Sequence, residues 1–128
     1  MRRIYIPLII VTLLTSAILV YAQRGITKRV QFARGSHSAT VKGAVVRATK
    51  DRYILGARGG QTMTVSVTAL EDNAVFYIVG PNGSALDGAD DESDVTNWTG
   101  ELPDSGDYSI YVSPTRGNAT YTLKVSIR

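Results

Sequence analysis

The side chains of this sequence that could perform chemistry are carboxylates, one histidine and a serine that lies between two aspartates. His37 is the only histidine, so no second imidazole can complete a metal site. The chain has no cysteine, which removes thiol catalysis and cysteine-based zinc sites. Asp104 and Asp107 flank Ser105 at a spacing that would allow acid–base chemistry, but they border a tight turn where carboxylates are usually solvated. Since a phosphate-binding glycine loop and a nucleophile elbow are also missing, the sequence predicts a protein that is not an enzyme.

A run of acidic residues between positions 84 and 95 is the best candidate for a metal site. Calcium binds several carboxylates together with backbone oxygens, so a dense acidic loop is able to hold it. The spacing differs from the Asp-x-Asp-x-Asp-Gly pattern of calcium-binding loops, and acidic runs are usually solvated. We therefore predict no cofactor and keep calcium binding as an alternative. The candidate ligands are Asp87, Asp90, Asp91, Glu92 and Asp94.

Residues 1–22 have the pattern of a signal peptide. Arg2 and Arg3 precede an uncharged segment at residues 4–20, and the small residue Ala22 marks a cleavage site. The alternative is an uncleaved N-terminal anchor, although Pro7 interrupts a segment that is already short for a membrane span of about 20 residues. Both interpretations predict a periplasmic or secreted protein that touches a membrane only through this segment, if it is uncleaved.

Residues 23–128 have the length of a single domain, and their charges are unevenly distributed. Residues 24–58 hold nine lysines and arginines and one acid, whereas residues 71–107 hold ten acids and no base. If the two segments fold onto different sides, the domain carries a field across it; if their strands interleave, the charges mix. The acidic segment and the export signal both oppose nucleic-acid binding. The oligomeric state is left open.

Hydrophobic and polar residues alternate in short segments that are separated by glycine, proline, asparagine and aspartate. Alternation with a period of two is typical of strands that bury one face, and no helical period occurs after the leader. The pattern predicts an all-β fold, an antiparallel β-sandwich of about eight short strands, with a closed barrel as the alternative. The predicted strands cover residues 29–32, 39–46, 51–58, 62–70, 74–79, 96–102, 108–113 and 121–127.

A turn at residues 103–106 continues directly into one of these strands. Its proline presets a backbone dihedral angle, its aspartate and serine can bond to nearby main chain, and its glycine tolerates positive φ. Tyr108, Ile110 and Val112 then alternate on one face, which we expect to be buried. In this interpretation Ser105 stabilises the turn, and Tyr108 is a core residue whose hydroxyl bonds to the main chain.

The motif Ser105-Gly106-Asp107-Tyr108 resembles the Ser-Gly-x-Tyr motif of exported bacterial lysozyme inhibitors of the invertebrate-type and goose-type families. Residues 30–35, 53–65 and 118–123 are also similar to these inhibitors, so the resemblance extends over most of residues 28–128. A related pattern occurs in pre-peptidase C-terminal domains, which are accessory β-sandwiches of secreted proteins. One departure is the short segment around Arg116, where many of the inhibitors have a longer loop rich in arginine.

The resemblance implies an inhibitor that plugs the active-site cleft of a lysozyme with the loop carrying Ser105, Gly106 and Tyr108. The hydroxyls of Ser105 and Tyr108 would bond to the two carboxyl groups that lysozymes use in catalysis. Arg116 would add a charge-assisted hydrogen bond. The protein partner is then a lysozyme, whose class the motif does not decide. The alternative is a non-catalytic accessory or adhesive module that binds carbohydrate or calcium.

Overall fold

The computed structural model describes residues 25–128, so the predicted signal peptide lies outside the described residues. This part of the chain contains eight strands. It holds no helix that is long and apolar enough to cross a membrane. The strands are β1 (Thr27–Arg29), β2 (Ser38–Val45), β3 (Asp51–Ala57), β4 (Thr62–Ala69), β5 (Ala74–Val79), β6 (Asn97–Glu101), β7 (Gly106–Pro114) and β8 (Ala119–Ile127).

The strands form two four-stranded sheets, ordered β1-β3-β7-β5 and β2-β8-β4-β6. Every neighbouring pair is antiparallel except β1 and β3. The two sheets pack face to face, since the inward residues of both contribute to one hydrophobic cluster. The predicted β-sandwich of about eight strands is therefore confirmed.

Strand β1 differs from its prediction in both position and direction. The sequence predicted a strand at residues 29–32, whereas the ladder covers Thr27–Arg29 and runs parallel to β3. The Val30 amide still donates to the Ile54 carbonyl at 2.8 Å, but the side chains of Val30 and Phe32 pack against the core. The hydrophobic residues that suggested a strand therefore cover the core just beyond the ladder.

Alternation places one face of each long strand in the core. Tyr108, Ile110 and Val112 of β7 are fully shielded from solvent, and β4 and β8 bury alternate residues in the same way. Burying a large apolar side chain stabilises a fold by on the order of 2 kcal/mol. Because the chain has no cysteine, this burial holds the sandwich together without a disulfide.

Three buried polar side chains connect the two sheets through a directed series of hydrogen bonds. Asp51 of β3 accepts from the Tyr121 hydroxyl at 2.7 Å and from the Ile26 amide at 3.0 Å. Since Tyr121 donates its single hydroxyl hydrogen to Asp51, the Tyr53 hydroxyl must donate to Tyr121. Gly43 of β2 lies so close to the Tyr121 hydroxyl that a Cβ would overlap it. The network joins the chain that leads into β1 to the centre of the sandwich.

The strand order places basic and acidic residues near opposite edges of the two sheets. The basic segment forms β1, β2 and β3, while the acidic segment forms β6 and the loop after β5. β3 bonds to β8, the neighbour of β2, through Tyr53 and Tyr121, and β6 bonds to the loop after β5 through Trp98 and Asp87. The basic edges of both sheets therefore lie together, and so do the acidic edges. The structure is therefore closer to the separated arrangement, although Glu71, Asp72, Asp104 and Asp107 lie outside the acidic edge and Asp107 pairs with Arg29.

Candidate functional site

The loop at residues 102–105 joins β6 to β7 at one end of the sandwich, which we call the Ser105 end. The β3–β4 turn at residues 58–61 and the turn at residues 80–84 lie at the same end, because β3 and β5 finish where β7 begins. The site is thus built from three connections that converge at one end of the molecule.

Leu102 and Ser105 attach the loop to the β3–β4 turn. The Leu102 side chain is buried, its amide donates to the Gln61 carbonyl and its carbonyl accepts from the Gly60 amide, both at 2.8 Å. The Ser105 hydroxyl oxygen accepts from the Gly59 amide at 2.9 Å. These bonds on both sides of the tip fix the loop on a neighbouring hairpin, so it is a rigid projection.

Ser105 keeps one hydroxyl hydrogen available for a partner. A serine hydroxyl is one donor and two acceptors, and the Gly59 amide uses an acceptor position only. The Ser105 side chain is exposed, and within residues 25–128 no acceptor is bonded to its hydroxyl hydrogen. The Ser105 oxygen is therefore held in place by the Gly59 amide, and the hydroxyl can still donate its hydrogen to a binding partner.

Gly106 occupies a position that only glycine fits. Its φ of 143° lies in a region that L-residues rarely adopt. A Cβ at this position would lie 2.9 Å from the Pro81 side chain, in the turn after β5. The glycine of the Ser-Gly-x-Tyr motif therefore lets the loop turn into β7 while it packs against Pro81.

Tyr108 is buried, with no exposed surface. Its hydroxyl donates to the Asp104 carbonyl at 2.6 Å and accepts from the Asp104 amide at 3.2 Å. The structure therefore shows the arrangement that the alternation predicted, a core tyrosine bonded to the main chain. This corrects the role implied by the resemblance, since a hydroxyl that is engaged inside the loop is not presented to a partner. Tyr108 supports the shape of the loop that carries Ser105.

Replacing Tyr108 by phenylalanine should loosen the loop and leave the fold intact. The ring would still fill its place in the core, but both hydrogen bonds to Asp104 would be lost, at a cost of about 1 kcal/mol. We expect the Asp104 amide to exchange its hydrogen with solvent several-fold faster. Tyr111→Phe is the matched control, since that tyrosine lies on the outer face of β7. Unchanged exchange at Asp104 in the Tyr108 variant would contradict this role.

Asp107, the variable position of the motif, forms a bidentate ion pair with Arg29 of β1, with distances of 2.9 and 3.1 Å. The hydrogen bonds from the guanidinium, together with its charge, lower the pKa of Asp107 and raise the pKa of Arg29. Because both side chains are about half exposed, the pair contributes little to stability. Its contribution is lost as pH falls through the lowered pKa of Asp107. The pair links β1 to the start of β7.

Arg116 lies at the opposite end of the sandwich from Ser105. β7 spans Gly106–Pro114 between them, and at about 3.3 Å per residue this strand separates the two positions by about 25 Å. The Arg116 guanidinium donates to the Glu71 carbonyl at 2.6 Å, within its own end. The structure does not bring Arg116 and Ser105 together. The expected support of the Ser105 contact by Arg116 therefore gains nothing from this geometry.

The basic residue that does lie beside the loop is Arg58, which the sequence analysis did not single out. It opens the turn whose Gly59 amide bonds to Ser105, and its side chain is exposed. Among the described residues the ion pair joins Arg29 to Asp107, so Arg58 has no carboxylate partner there. The turn itself was recognisable from its two glycines, but which turns share an end depends on how the strands pair.

The acidic loop after β5 holds its carboxylates apart from one another. In the part of the chain that the structure describes, no three acidic or histidine side chains converge on one point. Asp90 accepts from the Glu92 amide at 3.1 Å and from the Ser93 hydroxyl at 2.7 Å, which stabilises a local turn. The segment covers the edge of β5, where the Ile78 amide donates to the Ala89 carbonyl at 2.9 Å. The structure therefore does not bring together the candidate ligands Asp87, Asp90, Asp91, Glu92 and Asp94.

Known proteins with this architecture place the chain in a family, although no protein-family model matches the sequence. The crystal structure of PliG from Aeromonas hydrophila, a periplasmic inhibitor of g-type lysozyme, matches with a TM-score of 0.70 and 35% identity. The match covers 83% of this chain and 100% of the Aeromonas chain. The chain belongs to the family of g-type lysozyme inhibitors. The family resemblance inferred from the Ser-Gly-x-Tyr motif is thus confirmed.

The inhibitor of g-type lysozyme from Escherichia coli K12 is 32% identical over 84 residues, which are 66% of this chain. The match spans 57% of the length of that inhibitor. The pre-peptidase C-terminal domain of a Bacillus anthracis collagenase matches with a TM-score of 0.58 at 14% identity, over 81% of this chain and 96% of that domain. At that identity it shares the fold only, as the sequence pattern indicated.

Proposed function

We propose that this protein inhibits g-type lysozyme in the periplasm and performs no catalysis itself. The observation that carries the proposal is the match to the Aeromonas inhibitor, which extends over the whole of that chain at 35% identity. The leader-like segment at residues 1–22 supports the location, because a protein exported by a signal peptide would meet a lysozyme outside the cytoplasm.

The proposed mechanism is insertion of the loop at residues 102–105 into the active-site cleft of the enzyme. Lysozymes cut a glycosidic bond between two carboxyl groups, so a projection that reaches these groups excludes the substrate. The Ser105 hydroxyl hydrogen would donate to one carboxylate, and its oxygen is already positioned by the Gly59 amide. A hydrogen bond to a charged acceptor is stronger than one between neutral groups. Because the loop is fixed before binding, little conformational entropy is lost on association.

Arg58 is the side chain that we propose as the supporting contact, in place of Arg116. It lies one residue from Gly59, so an enzyme surface that receives Ser105 also passes close to its guanidinium. An arginine next to catalytic carboxylates would add a charge-assisted hydrogen bond. Tyr108 and Gly106 act indirectly in this mechanism, since they set the shape of the loop.

The direct test is the clearing of a cell-wall suspension by a g-type lysozyme, with and without the purified domain at residues 23–128. We expect clearing to be inhibited, with weaker or no protection against lysozymes of other types. No protection against any type at about 10 μM of the domain would overturn the proposal.

Ser105→Ala should weaken inhibition about tenfold, because it removes one hydrogen bond to a charged acceptor, worth roughly 1.5 kcal/mol. Ser93→Ala is the matched control, since Ser93 is also an exposed serine with one local hydrogen bond and lies in the acidic loop away from the site. Each variant loses one exposed local hydrogen bond, so the thermal unfolding of the two should shift by a similar small amount. Equal inhibition by the two variants would show that Ser105 does not contact the enzyme.

A further inference from the structure

A second concave site lies beside the loop, on the acidic edge of the sandwich. It is a cleft of 390 Å³ between β6 and the segment at residues 82–87, and it is closed at the Ser105 end by Pro103. Its volume lies within the range of small-molecule sites. The mechanism proposed above does not use it.

Trp98 forms a rigid wall of this cleft. Its indole nitrogen donates to the Asp87 carbonyl at 2.9 Å, which fixes the orientation of the ring. The ring lies over Gly100, where a Cβ would overlap the indole carbons. Trp98 is only partly buried, so part of the ring borders the cleft. Part of the apolar indole ring is therefore exposed to solvent in the cleft, and the indole nitrogen, its one polar atom, is already hydrogen-bonded.

The remaining lining combines apolar residues (Ala85, Leu86 and Pro103) with polar ones, and it carries no positive charge. Asp87 and Glu101 contribute carboxylates that have no hydrogen-bond or ion-pair partner among residues 25–128. Asn82 uses its side-chain oxygen to accept from the Ser84 amide at 3.1 Å, which leaves its NH₂ group to donate. The cleft therefore offers strong acceptors and an amide donor next to an aromatic ring.

The open edge of β6 adds main-chain groups to the same cleft. Thr96 and Leu102, on either side of β6, bond to the segment on the β4 side at 2.9 and 2.8 Å. In an antiparallel ladder the main-chain groups alternate in direction. The amides and carbonyls of Thr99 and Glu101 consequently point away from β4, towards the cleft that these residues line.

We propose that the Trp98 cleft binds a neutral oligosaccharide. A sugar ring has an apolar C–H face that can lie on the indole, and hydroxyls that donate to carboxylates such as Asp87 and Glu101. An anionic ligand would be repelled by these carboxylates, and a purely apolar ligand would leave them desolvated without partners. A sugar chain bound here runs alongside the loop at residues 102–105, yet its binding requires no lysozyme.

The tryptophan itself reports on the site, because Trp98 is the only tryptophan in the chain. We expect a saturable change in tryptophan emission when the domain is titrated with tri-N-acetylchitotriose, with a Kd of about 1 mM or tighter. A parallel titration with cellotriose, a neutral glycan without acetamido groups, measures how much those groups add to the affinity. Chemical-shift changes in an NMR spectrum should be confined to residues 82–87 and 98–103.

Glu101→Gln should weaken binding of the sugar at least fivefold, since it replaces a charged acceptor in the cleft. Glu71→Gln is the matched control, because Glu71 is an exposed acid at the opposite end of the sandwich. Absence of a saturable change with both sugars, or shifts at another face, would overturn the proposal. The titration contains no enzyme, so its failure leaves lysozyme inhibition unaffected, and loss of inhibition likewise leaves this site untouched.

Discussion

Gly106→Ala is expected to destabilise the domain by about 2–5 kcal/mol and to abolish most of its inhibition of lysozyme. Two costs combine at this position. The φ of 143° is strained for any residue with a Cβ, and that Cβ would lie 2.9 Å from the Pro81 side chain. Relief requires movement of the loop or of the turn at Pro81, and either movement displaces Ser105. Chemical denaturation and the cell-wall assay measure the two effects.

Gly117→Ala is the matched control, because it places a Cβ at a position of positive φ without a collision and with less backbone strain. Gly117 also has a positive φ, 56°, but a Cβ there would meet nothing within 4 Å, and the residue lies at the opposite end from Ser105. We expect it to cost about 1 kcal/mol and to leave inhibition unchanged. A Gly106 variant that is no less stable than the Gly117 variant would show that neither the φ of 143° nor the contact with Pro81 is costly.

Tyr121→Phe should produce the largest loss of stability among the polar core residues, about 3 kcal/mol. It removes the donor of a buried Asp51 oxygen and the acceptor of the Tyr53 hydroxyl at the same time. Tyr53→Phe is the conservative comparison, because it leaves the bond between Tyr121 and Asp51 in place and should cost about 1 kcal/mol. Equal losses in the two variants, measured by denaturant unfolding, would contradict the direction assigned to these bonds.

The same network predicts a loss of stability at alkaline pH. Burial raises the pKa of Tyr121, and its hydrogen bonds to Asp51 and Tyr53 raise it further; burial also raises the pKa of Tyr53. In the unfolded chain both tyrosines ionise near pH 10, so above that pH the unfolded state binds fewer protons than the folded state. Stability should therefore fall from about pH 10 upwards, by about 1.4 kcal/mol per pH unit for each tyrosine. In the double phenylalanine variant the pH dependence should be less steep.

Alternation was sufficient to predict the strands, because it follows directly from burying one face. β4 and β8 were recognised within a few residues of their ends. The alternation placed Tyr108 on the buried face, where the structure has it, whereas the resemblance had implied that its hydroxyl contacts the enzyme. β1 was predicted at the wrong residues because hydrophobic residues that only cover the edge of a core have the same sequence pattern as residues of a strand. The chain passes through β2 of the other sheet between β1 and β3, and local sequence does not specify that β1 then pairs parallel with β3.

The site was harder to predict, because it depends on which connections share an end. Arg116 follows Ser105 closely in sequence, but a strand that runs the length of the domain lies between them. Arg58 is distant in sequence and adjacent in space, since β3 and β7 pair antiparallel. The partners of Asp51 likewise come from distant parts of the chain, Tyr121 of β8 and Ile26 before β1, so nothing in its local sequence distinguished it from a solvated acid.

The parallel course of β1 determines where the domain can be tethered. Gly25 lies against the Lys50 carbonyl, just before β3 begins, so the chain enters the domain at the end of the sandwich opposite the Ser105 end. A domain held at a membrane through its N-terminal segment would therefore be attached at the end opposite the loop at residues 102–105. In the proposed mechanism, attachment and contact with the enzyme would thus use opposite ends of the sandwich.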